Sequence, residues 1–185
     1  MTTTHEKTQN AMRLYNRSNR RLYLNASERT RFLAVAKTAP LHIEAFALVL
    51  FYSGCRLSEV LELTPASLQI EERLIAVRSL KKRNQHHIRE VPVPGMLILT
   101  LQNLFSGREV DERPLWDVDR MTAYRWIKSL MKEAKIVGPQ TCPKGLRHGY
   151  GIYAIQSGVQ INMLRKWVGH SSIETTAIFT NAVGA

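Results

Sequence analysis

The chain has 185 residues, 44% of them hydrophobic, with only 10 Gly and 7 Pro. That is one domain's length with ample apolar surface to fold, which excludes collagen-like, low-complexity and wholly disordered organisation. Against 15 Asp and Glu stand 26 Lys and Arg, a formal charge of +11, and so large an excess points to a polyanionic partner, foremost nucleic acid.

The first residues, Met-Thr-Thr-Thr-His-Glu, do not form a secretory leader, and the longest apolar stretch, 45–52, falls short of the roughly 20 residues a bilayer span needs. A soluble protein of the cytoplasm is expected. Residues 1–24 are a basic arm: as far as Pro40, eight Lys and Arg face only Glu6 and Glu28. Arg13, Arg17, Arg20 and Arg21 recur at helical spacing, so the arm is either a helix with one stripe of phosphate contacts or a solvated segment without structure.

From residue 25 the pattern becomes regular. Asn25-Ala-Ser-Glu28 is a capping box ahead of a helix over 26–37, with Phe32, Leu33 and Ala36 on one face. Pro40 opens a second helix, apolar almost all round from 43 to 52 and ended by Gly54, which belongs at the centre of the core. A third, over 57–63, stops at Thr64-Pro65. The period then turns extended: 68–70, a turn at 71–73 and 74–77 form a hairpin, and a third strand ends at 91–93. Helices over 96–105, 121–136, 146–156 and 161–168 follow, punctuated by Gly107, Gly138, Gly158 and Gly169. The expected fold is mainly α with one small antiparallel sheet, an α+β domain over 25–185.

No Gly-rich phosphate loop, defensible Ser-His-Asp order or metal-ligand spacing is present. Cys55 and Cys142 are far apart and form no Cys-x-x-Cys pair. His86 and His87, adjacent on a strand, point to opposite faces. No metal or cofactor is expected. What remains is a set of cations at element ends. Arg56 follows the glycine that closes the core helix, and Lys81 and Lys82 lie where the second strand turns toward the third. Lys144, Arg147 and His148 open a helix behind Cys142-Pro143, where backbone amides favour an anion, and His170 follows Gly169. Singly, each has a plainer explanation as a dipole partner, a solvated lysine or a cap.

Together their order resembles the tyrosine recombinase (phage integrase) family of site-specific DNA recombinases. Tyr52-Ser-Gly-Cys-Arg56-Leu-Ser-Glu59-Val-Leu-Glu-Leu63 is similar to the block around that family's first catalytic arginine. Ile75-Ala-Val-Arg-Ser-Leu-Lys81 and Arg89-Glu-Val-Pro-Val93 resemble its hairpin lysine and the strand returning from it. Lys144-Gly-Leu-Arg147-His148 and Trp167-Val-Gly-His170 resemble the next two blocks, and nine residues after His170 the nucleophile position falls in Thr175-Thr-Ala-Ile-Phe179-Thr.

The resemblance implies the family's catalytic-domain fold and DNA strand breakage and rejoining without metal or ATP. Two guanidiniums, Arg56 and Arg147, would clamp the non-bridging oxygens of the scissile phosphate, where in-line attack concentrates charge. Lys81, or Lys82 if the hairpin alignment shifts by one, would protonate the departing 5′-oxygen. His170 and Lys144 would add hydrogen bonds, and His148 would support the site from behind. Glu59 would orient the hairpin or hold the arginine, with a plain surface carboxylate as the alternative. Lys82, Arg83, Arg165 and the arm's arginines would bind duplex DNA, on which a dimer or tetramer of the chain would assemble, associated with the nucleoid.

The sequence departs from the family where it matters most. The nucleophilic tyrosine is replaced by Phe179, which has no oxygen to attack phosphorus, so the chain is expected to bind DNA without cutting it. Tyr150 and Tyr153 are poor substitutes, lying on the helix that carries Arg147. Phe179 is either a deliberate change that traps a DNA complex or the mark of a natural pseudo-recombinase; the intact remainder of the site favours the first. Only the arm precedes residue 25, as in compact members of fimbrial-inversion type, and the chain ends six residues after Phe179, which implies reduced cross-talk between subunits. A non-catalytic DNA-binding regulator using the helices around Arg147 and Arg165 as a helix-turn-helix and a structured-RNA binder are the alternatives.

Overall fold

A computed structural model describes residues 12–79, 87–108 and 111–182. Lys81, Lys82 and Arg83 lie outside the described residues.

The capping box forms as its residue types dictate: the Asn25 side chain accepts from the Glu28 amide at 2.9 Å, and Glu28 accepts from the Asn25 amide at 3.0 Å. Helix α1 follows over Ala26–Ala36, burying Phe32 and Ala36. Helix α2, Leu41–Ser53, has no polar face after its first turn and is accordingly enclosed, with residues 45–51 buried in sequence. Phe46 lies edge-on to Trp116 and Trp126, at ring separations of 5.1 and 5.8 Å. Each such side chain contributes about 1.5–3 kcal/mol of apolar transfer. Helix α3, Leu57–Leu61, ends two residues sooner than expected, because Pro65 holds Thr64 extended and starts a 3-10 turn.

Strands β1 (Leu68–Gln69), β2 (Leu74–Arg78) and β3 (Ile88–Pro92) form an antiparallel sheet in that order. Ile75 pairs with Val91 and Val77 with Arg89. The face holding Ile75, Val77 and Val91 is buried, and Arg89 goes inward with it because residues two apart on a strand share a face.

Helices α4 (Gly95–Leu104), α5 (Arg120–Glu133), α6 (Pro143–Gln156) and α7 (Ile161–Val168) complete the framework. Helix α5 starts where Asp119 accepts from the Met121 and Thr122 amides and stops before Lys135, which is left-handed; the expected continuation to 136 does not form. Helix α6 begins three residues before its expected start, with Pro143 in the first turn, where a missing N–H costs nothing. A further helix, α8 (Ile173–Ala177), capped by the Ser172 side chain, runs into a 3-10 turn at Ile178–Ala182. The sequence pattern did not signal it, since five residues are too few for a helical period. No helix among the described residues is long and apolar enough to cross a membrane.

Residues 13–21 are neither the helix nor the unstructured arm expected of them. They form a tight hairpin: Tyr15 bridges Arg21, the Leu22 amide donates to the Leu14 carbonyl at 2.8 Å, and the Asn16 amide donates to the Arg20 carbonyl at 2.9 Å. Asn16 Oδ1 accepts from the amides of Ser18 and Arg20, closing an Asx turn in which Asn19 is left-handed. Leu14 and Leu24 are buried, and Arg21 is paired with Glu28. Burial of these leucines and the local side-chain hydrogen bonds outweigh the helical spacing of the arginines.

Candidate functional site

Two clusters of buried side chains meet along α6. The larger surrounds α2; the smaller holds Leu14, Tyr150, Ile152, Leu164, Val168 and Phe179. An open cleft lies over their junction. At about 1330 Å³ it exceeds the roughly 300–1,000 Å³ of small-molecule pockets. Among the described residues its lining includes eight Lys and Arg, with Arg56, Lys144, Arg147 and Arg165 among them, and no Asp or Glu. Such a surface selects a large anion. His148, His170 and the hairpin's Arg13 and Arg17 also line it; Arg20 and Arg21 do not.

Arg56 precedes α3, and Glu59, one turn on, holds it through its amide at 2.8 Å and its guanidinium at 2.9 Å. Glu59 is no surface carboxylate: it is 1% exposed. Burial alone would raise its pKa, but the hydrogen bond and charge of Arg89, with Arg56 beside it, hold it below the usual carboxylate range. Arg89 grips both Glu59 oxygens, at 2.6 and 3.2 Å, and its Nε donates to the Trp167 carbonyl at 2.7 Å.

Arg147 braces the same two segments from the other side. Its Nη1 donates to the Gly54 carbonyl and its Nη2 to the Val168 carbonyl, both at 2.6 Å. Burial, reinforced by the charge of Arg56, pushes its pKa down to about 10. Arg89 and Arg147 therefore pin the start of α3 to the end of α7, and with it Arg56 to His170. Only a left-handed residue can end α7 with the turn found there. Gly169 supplies it, its amide bonding the Lys166 carbonyl and the His170 amide reaching back to Arg165. His170 Nδ1 lies 3.0 Å from Thr176 Oγ1.

Phe179 is fully buried. Its ring stacks on His170 at 6.0 Å and meets His148 edge-on at 6.2 Å. Gly151 makes the space, since a Cβ there would lie 2.3 Å from the ring. Tyr150 packs against Gly54, and Tyr153, 54% exposed, covers Arg29; neither lines the cleft. The structure thus brings together Arg56, Lys144, Arg147, His148, Arg165 and His170, with Phe179 behind the histidines. It adds Arg120, Lys166 and Arg89, which motif reading passed over. For Arg89 the signal was present: it alternates in phase with Val91 on a half-buried strand.

His148 is buried, and its Nδ1 has no hydrogen-bond partner among the described residues. Burial, then the charges of Lys144 and Arg147, push its pKa from 6.5 to about 4. The unfolded chain therefore binds this proton more readily, so stability falls as pH drops below 6.5. The loss is about 2 kcal/mol between pH 7.5 and 5, above the range where the carboxylates titrate. Urea unfolding should show this slope and its flattening in His148→Gln; parallel profiles would contradict it.

Residues 22–183 match the phage integrase family. The chain belongs to that family. Its relatives include a tyrosine recombinase of Thermosipho africanus, 30% identical over 135 residues that cover 71% of this chain and 46% of the relative. Tyrosine recombinase XerA of Saccharolobus solfataricus is 28% identical over 160 residues, covering 86% and 49%. The chain spans about half the length of these curated relatives. A crystal structure of XerA recombinase superposes with a TM-score of 0.74 at 27% identity, over 85% of this chain and 59% of that one. XerH site-specific recombinase bound to difH substrate in a pre-cleavage complex gives 0.72 at 15% identity, over 89% and 55%, and bears on the fold alone. The expected tyrosine recombinase catalytic-domain fold, mainly helical with a small antiparallel sheet, is thus the one observed.

Proposed function

We propose that residues 25–185 are the catalytic domain of a site-specific recombinase, with 1–24 as a basic arm, and that the chain binds duplex DNA in its cleft as a homo-oligomer. The observation that carries this reading is one cleft that holds Arg56, Lys144, Arg147 and His170, with no acid among its described lining residues, over a buried aromatic ring at position 179. Arg56 and Arg147 face the scissile phosphate, and their fixed charges stabilise the crowded oxyanions without a metal. Of the five N–H donors of Arg147, two serve the Gly54 and Val168 carbonyls; this holds the remainder in a set direction. Lys144 and His170 donate further hydrogen bonds, Glu59 steadies Arg56, and His148 supports the site from behind. Lys81, or Lys82, protonates the 5′-oxygen as its bond to phosphorus breaks, with Lys82, Arg83 and Arg165 on flanking phosphates. With tyrosine at 179 the phenolic oxygen would form a 3′-phosphotyrosine; Phe179 leaves a protein that binds and does not cut.

Against the helix-turn-helix alternative, Arg147 is 7% exposed and committed to backbone carbonyls, so it is not displayed for reading base edges. The chain should retain duplex DNA in preference to folded RNA at equal salt and leave a supercoiled plasmid carrying its site unnicked. Preference for the RNA, or nicking by the Phe179 protein, would overturn the proposal.

A further inference from the structure

Resting on the DNA-binding reading above, we infer that the hairpin over residues 12–24 is a pre-ordered second wall of the cleft that grips duplex phosphates through Arg13 and Arg17. Residues 12–24 contain four arginines and no acid. Glu28 neutralises Arg21 and thereby fixes the base of the hairpin to α1. Arg13 and Arg17 are exposed, and both line the cleft shared with Arg56 and Arg147.

The hairpin is held on three sides. Leu14 enters the cluster that contains Phe179. The Leu24 amide donates to the Gly145 carbonyl at 3.2 Å, and Leu24 lies so close to Gly149 that a Cβ there would be 2.8 Å from its carbonyl oxygen. The wall is thus anchored directly to the helix bearing Arg147. At the tip, the Asn16 side chain ties two amides and fixes the direction of Arg17 before any ligand arrives. Ordering ahead of binding removes an entropic cost that a loose basic tail would meet on the DNA.

Two phosphate contacts have a measurable consequence. Each contributes about 0.9 to the slope of log affinity against log salt, so Arg13→Ala/Arg17→Ala should flatten that slope by about 1.8. Between 50 and 200 mM salt the unmodified chain should then lose roughly tenfold more affinity than the variant. A 40-base-pair duplex of arbitrary sequence is a sufficient probe, and Lys37→Ala, an exposed cation outside the cleft, should leave the slope unchanged. Asn16→Ala keeps every charge; it should preserve the slope while weakening binding about threefold to tenfold as the tip loses its order. Unchanged melting of all variants secures the comparison. An unaltered slope in the double variant overturns the proposal, and an Asn16→Ala chain that binds like the parent overturns its pre-ordering. A parent chain that fails to bind the duplex at 50 mM salt removes the DNA reading itself, and this inference with it.

Discussion

Phe179→Tyr is expected to produce a protein–DNA adduct that survives denaturant, on duplex fragments that the Phe179 chain itself selects from its source replicon. An aromatic ring already sits at 179, its space made by Gly151, stacked on His170 and edge-on to His148. The substitution adds one oxygen to a placed ring rather than reorganising a loop. Absence of a nucleophile typically costs on the order of 10⁴ to 10⁶ in rate, so cleavage should pass from undetectable to readily measured. On that background Arg56→Ala should slow adduct formation by on the order of 10²–10³, the scale for a lost oxyanion donor. Tyr153→Phe should leave it unchanged, because Tyr153 lies outside the cleft over Arg29. A Phe179→Tyr protein that binds its fragments as tightly as the parent yet never forms the adduct would make the chain a non-catalytic DNA-binding regulator.

Arg89→Met should destabilise the fold by about 3–5 kcal/mol, the range for breaking a buried ion pair from one side. Glu59, 1% exposed, would keep its charge with only Arg56 to answer it, and the Trp167 carbonyl would lose its donor. The defect should be pH-dependent with a definite sign. In the parent, Arg89 holds the Glu59 pKa below its ordinary value, so the pair's contribution is present above about pH 4.5 and is lost as pH falls through the folded value. In the variant, burial raises that pKa instead, so the carboxyl is neutralised more readily and the gap between the two proteins narrows from pH 7 to pH 4. Glu59→Gln in the Arg89→Met background should recover part of the loss at pH 7. Urea midpoints at unchanged m-value would measure each step; a single-variant cost below about 1 kcal/mol would show that the pair is not a structural brace.

Local rules carried much of the fold. Asn25 and Glu28 specify the start of α1, the unbroken apolar run after Ile43 specifies a buried α2, and Pro65 closes the segment after α3 by restricting the residue before it. The hairpin failed by the same logic: Arg13, Arg17, Arg20 and Arg21 have helical spacing, but Leu14 and Leu24 find a core and Asn16 competes for the backbone. Within the site, Arg56, Arg147 and His170 were legible because they stand in ordered blocks. Arg89 was not singled out, because a cation on a strand is ordinarily solvated and its partner lies 30 residues away.

By itself the sequence determined which cations stand in ordered blocks at element ends, where most helices begin, and that position 179 has no oxygen. Only the tertiary structure decided that Glu59 is a buried brace, that Arg147 is held by two carbonyls, and that Arg13 and Arg17 sit on a hairpin lining the cleft. The physical reason is burial: a charged group's role depends on whether water or a partner answers its field, and that is set by segments distant in the chain.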